Sequence, residues 1–369
     1  MEDRPVSRII LGTMTFGYHG HGTRVSDPNI VQGCLDELAA RGHRELDTCY
    51  VYGDTTCEQM LGELSAANTF GLAIRFDPLA TPHGHEPEVL IANVRASLRR
   101  LKTDRVHLLY LSLRDPATPI EATLAAVQQL HDEGAFDELG LSNVSAADVT
   151  EYVSISQDHA WIRPTVYQGL YNALSRAAEG DLLPELRRLG LRFHAYNPLA
   201  GGAFAAGFGQ NDFVKDGSRF DDKQDQGRFY RSRYWNESYL AALTAVRHEC
   251  ARADIRPTDA ALRWLVHHSA LDGEHGDGII LGASSLDQLQ QNLDAVAVGP
   301  LPDDIIATIE HAGRDHPSRL ASHLPTDLRG SRSVRLHQGH GGRAIGPGRV
   351  GRISGEVGPA MFRSGARRG

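Results

Sequence analysis

Asp47 and Tyr52 stand five positions apart in the stretch 45–58, Glu-Leu-Asp-Thr-Cys-Tyr-Val-Tyr-Gly-Asp-Thr-Thr-Cys-Glu. A short strand ending near Asp47 and a loop carrying Tyr52 would bring a carboxylate and a phenol together. Beside a cation, that pair makes a proton donor for a carbonyl oxygen, because positive charge favours the tyrosinate left behind. Two His-x-His pairs, His19/His21 and His83/His85, raise a different chemistry. Neither has a third or fourth ligand placed with it, so no metal site is expected and each histidine reads as a solvated loop residue.

The elements around this stretch alternate. Residues 7–12 form a short apolar run closed by glycine, which predicts a buried strand. Asp27-Pro28 then supplies an N-cap with proline at the first helical position, and Ile30, Val31, Cys34, Leu35 and Leu38 follow at helical spacing. Further strands are predicted over 45–49, 71–75, 106–111, 138–142, 165–168, 191–196 and 278–281. Between and after them the pattern predicts helices over 58–65, 87–101, 120–133, 146–156, 182–189, 239–252, 258–268 and 286–297. Residues 197–233 read as a long irregular loop. Eight strand–helix units with one extra helix imply parallel pairing closed into a (β/α)8 TIM barrel, an α/β fold. A doubly wound sheet is the other candidate, but it needs a Gly-rich phosphate turn after the first strand, and residues 12–17, Gly-Thr-Met-Thr-Phe-Gly, lack the GxGxxG spacing.

Composition narrows the function classes. With 38 Lys and Arg against 46 Asp and Glu, the formal charge is −8 and no basic stripe follows a phosphate backbone, which argues against a nucleic-acid partner. The four cysteines (Cys34, Cys49, Cys57, Cys250) lack CxxC spacing, no apolar signal stretch opens the chain, and no window approaches a membrane span. A soluble, cytoplasmic protein without a membrane partner is expected, and composition leaves a homo-oligomer open. The texture changes near residue 316: the stretch 316–369 is dense in Gly, Arg and Ser, with ten arginines against Asp327 and Glu356, and has no apolar periodicity. The expected division is a barrel over 1–315 and a disordered tail over 316–369.

In a barrel the chemistry sits where strands end. Those ends offer Asp47 and Tyr52, then Arg75, Ser112, Ser142 with Asn143, Gln168, Tyr196 with Asn197, and Gly282. The motifs that carry them are Leu-Asp-Thr-x-x-x-Tyr-Gly from Leu46, Gly-Leu-Ser-Asn (140–143), Tyr-Gln-Gly-Leu-Tyr-Asn (167–172), Tyr-Asn-Pro-Leu-Ala-Gly-Gly (196–202) and Leu-Gly-Ala-Ser-Ser-Leu-Asp-Gln-Leu-Gln-Gln-Asn (281–292). In this order, over residues 7–312, the sequence resembles the aldo-keto reductases, most of all the aflatoxin-aldehyde reductase branch.

The resemblance implies NADPH-dependent reduction of a small-molecule aldehyde or ketone. It assigns Ser142, Asn143 and Gln168 to the nicotinamide carboxamide and Tyr196 to the face of its ring. The segment of Asn197, Pro198, Leu199, Gly201 and Gly202 would approach the pyrophosphate. Arg219 would supply the cation that the family carries as a lysine a few residues after the Gly-Gly. Gly282, Ser284, Gln288, Gln291 and Asn292 would meet the phosphate-bearing adenosine. The catalytic tetrad is altered. Asp47 and Tyr52 match, but Arg75 stands where the family has lysine and Ser112 where it has histidine.

Arginine keeps the charge, and its fork is expected to grip Asp47 bidentately. Ser112 is too short to reach where an imidazole reached. A slow or retuned reductase is therefore expected. The alternatives are a nucleotide-binding pseudoenzyme or regulatory module, and a non-redox proton transfer, isomerase or lyase, in the same pocket.

Overall fold

The computed structural model describes residue 6, residues 8–209, residue 214 and residues 218–314. The stretch 316–369, expected to be a disordered tail, lies outside the described residues. The chain begins with β1 (Arg8–Gly12), α1 (Pro28–Ala40), β2 (Glu45–Asp47), α2 (Thr56–Glu63), β3 (Gly71–Phe76) and α3 (Pro87–Leu101). It continues with β4 (Val106–Ser112), α4 (Ile120–Asp132), β5 (Phe136–Ser142), α5 (Ala146–Asp158), β6 (Pro164–Leu170), α6 (Leu182–Leu189) and β7 (Arg192–Tyr196). Three helices follow, α7 (Asp225–Tyr234), α8 (Glu237–Arg252) and α9 (Pro257–His267), then β8 (Gly278–Gly282), α10 (Leu286–Ala297) and α11 (Asp303–Arg314).

The eight strands pair in sequence order into one closed parallel barrel, β8 returning to β1. This is the expected (β/α)8 fold. The strands are short and buried on both faces, as parallel strands between a lumen and a helical layer must be. Helix starts follow local chemistry: Asp27 caps α1 ahead of Pro28, and Ser145 with Asp148 closes a capping box on α5. The lumen is filled by Ala73, Leu108, Tyr110 and Val166, a cluster separate from the main core under the helices. Gly140 makes room for the Tyr110 ring, since a Cβ there would lie 2.4 Å from it.

Two elements depart from expectation. The region 197–233 is not irregular throughout, because α7 covers its end, burying Gly227, Tyr230 and Tyr234 at helical spacing. The second departure is α11, which the strand–helix count omitted. Arg176, in the loop after β6, ties α11 down: it donates to the carbonyls of Ala173 (2.9 Å) and Ile309 (3.0 Å) and to Glu310 (2.8 Å), with its guanidinium 4.1 Å from the Trp264 ring centroid.

All four cysteines are buried as free thiols. Burial pushes Cys34 and Cys250 up to about 11, and Cys49 and Cys57 up to about 12. The thiolate is the reactive form. Native protein at pH 8 should therefore resist iodoacetamide over a period that labels all four after denaturation. Mass spectrometry showing rapid native labelling at any of them would contradict the buried placement.

Candidate active site

The C-terminal ends of the strands gather the tetrad positions. Asp47 closes β2, and the chain then turns back so that Tyr52 faces the mouth. Gly53 makes the turn possible at φ 56°, where a Cβ would lie 2.7 Å from Thr56 Oγ1 and 2.9 Å from the His19 carbonyl. Arg75, near the end of β3, reaches across. Its Nη2 donates to the Tyr52 hydroxyl at 2.5 Å, and its Nη1 donates to Gln168 Oε1 at 2.7 Å. Gln168 Nε2 donates in turn to Asp47 Oδ1 at 2.6 Å.

The expected fork of Arg75 on Asp47 is not formed. Among the described residues no ion pair joins the two, and Gln168 lies between them. The reason is geometric: one edge of the rigid guanidinium goes to Tyr52, which turns another nitrogen toward β6 rather than β2. Electrostatics still link the group. Burial raises the Asp47 carboxyl, with Arg75 and the Gln168 hydrogen bond opposing the rise. Burial likewise pushes the Tyr52 phenol well above its ordinary value, with Arg75 pulling it back. Deeper in the lumen the Tyr110 hydroxyl lies 2.8 Å from His194 Nδ1, and burial holds His194 well below the usual imidazole range.

Ser112 ends β4 beside Ser142 of β5, which in turn neighbours Gln168 of β6. Ser142 is fully buried, and its Oγ has no hydrogen-bond partner. The loop histidines divide. His19, His21 and His83 are exposed as expected, but His85 is only 1 % exposed. Asp115 accepts its backbone N–H at 2.8 Å and draws the loop inward, placing the ring 5.5 Å from the Phe76 centroid. Burial lowers this imidazole to about 4. Phe76 alternates with Arg75 along β3, so the His85 ring packs on the Phe76 side of the strand, where the Ser112 backbone also meets it. Among the described residues no group of three or more His, Cys, Asp or Glu is placed to hold a metal ion.

A second set of residues lies along β5, β7 and the loop beyond it. The Tyr196 hydroxyl donates to Asn143 Oδ1 at 2.9 Å, leaving the ring half-buried. Asn197, at φ 55°, is held by the Tyr230 and Tyr234 hydroxyls of α7 and by Asn172 Nδ2 on its carbonyl, at 3.3, 3.4 and 3.1 Å. Pro198 is buried and Leu199 half-buried behind the Gly201-Gly202 turn. A Cβ at Gly201 would strike the Tyr230 ring at 2.4 Å, whereas Gly202 faces open space. Arg219 lies over Tyr230, 5.2 Å from the ring centroid, and its buried Nε has no hydrogen-bond partner. Arg24, from the loop after β1, is close enough to Arg219 that burial and this second guanidinium lower its proton affinity. Two like charges brought together beside an open glycine turn suit an anion.

Sequence reading missed Arg24, Tyr230 and Tyr234. Only the helical spacing of Gly227, Tyr230 and Tyr234 signalled the two tyrosines, and nothing in the sequence signalled Arg24. At α10 the cap is Ser285, and Ser284 donates through both N–H and Oγ to Gln288 Oε1 at 2.9 and 2.8 Å. Ser284, Gln288 and Gln291 share an exposed face beside the exposed Gly282. Asn292 does not, being buried with Nδ2 on the Gly282 carbonyl at 3.4 Å. Gln291 is engaged by Arg256 at 2.5 Å.

The match to known proteins agrees with this geometry. The family model described as Aldo/keto reductase family covers residues 8–314. The chain is similar to aflatoxin B1 aldehyde reductase member 2 of Mus musculus, 41% identical over 319 residues that span 82% of this chain and 83% of the relative. It is also similar to aldo-keto reductase family 7 member A3 of Homo sapiens, 42% identical over 319 residues, 82% of this chain and 92% of the relative. With an eightfold barrel, the Asp–Tyr pair at its mouth and a match along nearly all of the described residues, the chain belongs to the aldo/keto reductase family.

Proposed function

We propose that this protein reduces an aldehyde or ketone to an alcohol with NADPH, using Tyr52 as the proton donor. The observation that carries the reading is the Tyr52 hydroxyl held by the Arg75 guanidinium at 2.5 Å at the barrel mouth. When bound, the dihydronicotinamide supplies the hydride that the carbonyl carbon accepts. Tyr52 gives its proton to the carbonyl oxygen as that bond forms, and Arg75 stabilises the tyrosinate until solvent returns the proton. Asp47 keeps the cation's surroundings anionic. Ser112 widens the pocket and supplies no imidazole donor, which makes the enzyme slow on simple carbonyls.

Cofactor holding fits the residues gathered at the barrel mouth. Asn143 and the orphaned Ser142 Oγ suit an amide, Tyr196 offers a ring face, and Arg219 with Arg24 beside Gly201 and Gly202 suits a pyrophosphate. The exposed Ser284 and Gln288 suit a phosphate-bearing ribose at the start of α10. NADPH fluorescence titration followed by turnover on aldehydes, α-diketones and 2-keto sugars tests the proposal. Binding with turnover supports it; binding with none across the panel favours a nucleotide-binding module, the reading that the serine at position 112 keeps open.

Tyr196→Ala should weaken NADPH binding by roughly 5- to 150-fold by removing the stacking face, worth roughly 1–3 kcal/mol for an aromatic platform. Gln288→Ala should weaken NADPH more than NADH. Equal affinity of the unmodified protein for the two cofactors would remove the 2′-phosphate from α10.

A further inference from the structure

The position of Gln168 does not suit the carboxamide contact that its motif implies. It is fully buried, as Ser142 beside it is, but Ser142 keeps an unpartnered Oγ and Gln168 keeps no free amide atom. Both ends of its amide are already in use, oxygen toward Arg75 and nitrogen toward Asp47, at 2.7 and 2.6 Å. This orientation is the only one chemistry permits, because a flipped amide would set N–H against guanidinium N–H and carbonyl oxygen against carboxylate. Tyr110 closes the amide from below, between Gln168 and His194.

We infer that Gln168 is a positioning residue for the proton donor: it couples the Asp47 carboxylate to the Arg75 guanidinium and so holds Arg75 on the Tyr52 hydroxyl. The inference rests on the reductase reading. Its cause is the arginine itself. A lysine at position 75 has no fork, would reach Asp47 directly, and would leave the glutamine amide free to turn toward a nicotinamide. The carboxamide contact in this protein then falls to Asn143 and Ser142 alone. The charged and titratable groups that face this network include Glu45 and Asp47 on β2, Cys49 and Tyr52 after it, Arg75 and Asp77 at β3, Tyr110 on β4, and Arg192 and His194 on β7.

A four-protein cycle tests this: the unmodified protein, Gln168→Leu, Arg75→Lys, and the two changes together, each titrated with NADPH and assayed for kcat. The expected result is an NADPH Kd within twofold of the unmodified value in Gln168→Leu, with kcat at least tenfold lower. In the Arg75→Lys background the same Gln168→Leu change should weaken NADPH at least tenfold. Gln168→Glu is the variant of matching shape in case the leucine disrupts folding. While protonated it repeats both hydrogen bonds, and once ionised it repels Asp47, so its kcat should fall with rising pH across a range where the unmodified protein's does not. A tenfold loss of NADPH affinity in Gln168→Leu alone, or a Gln168→Glu pH profile matching the unmodified one, would overturn the inference while leaving the reductase reading intact. An unmodified protein that binds no NADPH overturns both.

Discussion

Changing Arg75 to Lys and Ser112 to His together is expected to raise turnover of a generic aldehyde by roughly 10²–10³-fold, the scale of one oriented donor to a developing oxyanion. What the barrel mouth lacks is a compact cation and an imidazole, and both replacements are local. Ser112 is the last residue of β4, beside Ser142, so a histidine there projects from the same strand end. The two single changes should multiply to less than the double, because groups acting on one transition state are not independent. Tyr52→Phe in the double background should abolish the gain. Steady-state kinetics with NADPH titration decides the matter. A double variant that binds the cofactor and stays inert would mean that the pocket has diverged beyond its tetrad, leaving the binding-module and proton-transfer readings.

The largest expected stability effect lies elsewhere, at Asp277. This carboxylate is fully buried just before β8 and forms an ion pair with Arg187 of α6. It also accepts the backbone N–H groups of Phe193 at 2.7 Å and Asp272 at 2.8 Å. Asp277→Ala would leave Arg187 without its counter-charge and two N–H groups without acceptors, a loss of about 3–5 kcal/mol by analogy with other broken buried pairs. Denaturant unfolding followed by circular dichroism should show the midpoint fall with little change in slope. The solvent-exposed Arg188–Glu185 pair one residue along α6 serves as the control, and Arg188→Ala should leave the midpoint where it was. A small shift for Asp277→Ala would mean that water replaces the lost partners.

Most of the barrel was legible because its strands are short apolar runs between punctuated helices; α3, α6 and α10 begin and end where pattern and caps place them. The helix α7 was not, because its outward positions are Asp, Gln and Arg and its buried stripe is one glycine and two tyrosines, too sparse to stand out from a polar loop. Residue types at the site were legible, but partnerships were not. Nothing in the order of residues says that a guanidinium at position 75 turns toward Gln168 and leaves Asp47 to be reached through it. That depends on where β2, β3 and β6 stand around the mouth, which is a property of closure. His85 was misread for a similar reason: its burial is set by Asp115, thirty positions away, drawing the loop inward.

The Arg176 clamp bears on the order in which a ribosome can deliver a working pocket. Arg176 follows the loop in which Asn172 holds the Asn197 carbonyl, and its own anchors are Ile309 and Glu310 in α11. Every strand has emerged before those residues have. A nascent chain that has already exposed all eight strands therefore still lacks the contacts that brace one rim of its pocket, and an arginine meant for α11 waits without them. Domains fold as units during synthesis, and for this one the unit is complete only when its last described helix has left the exit tunnel.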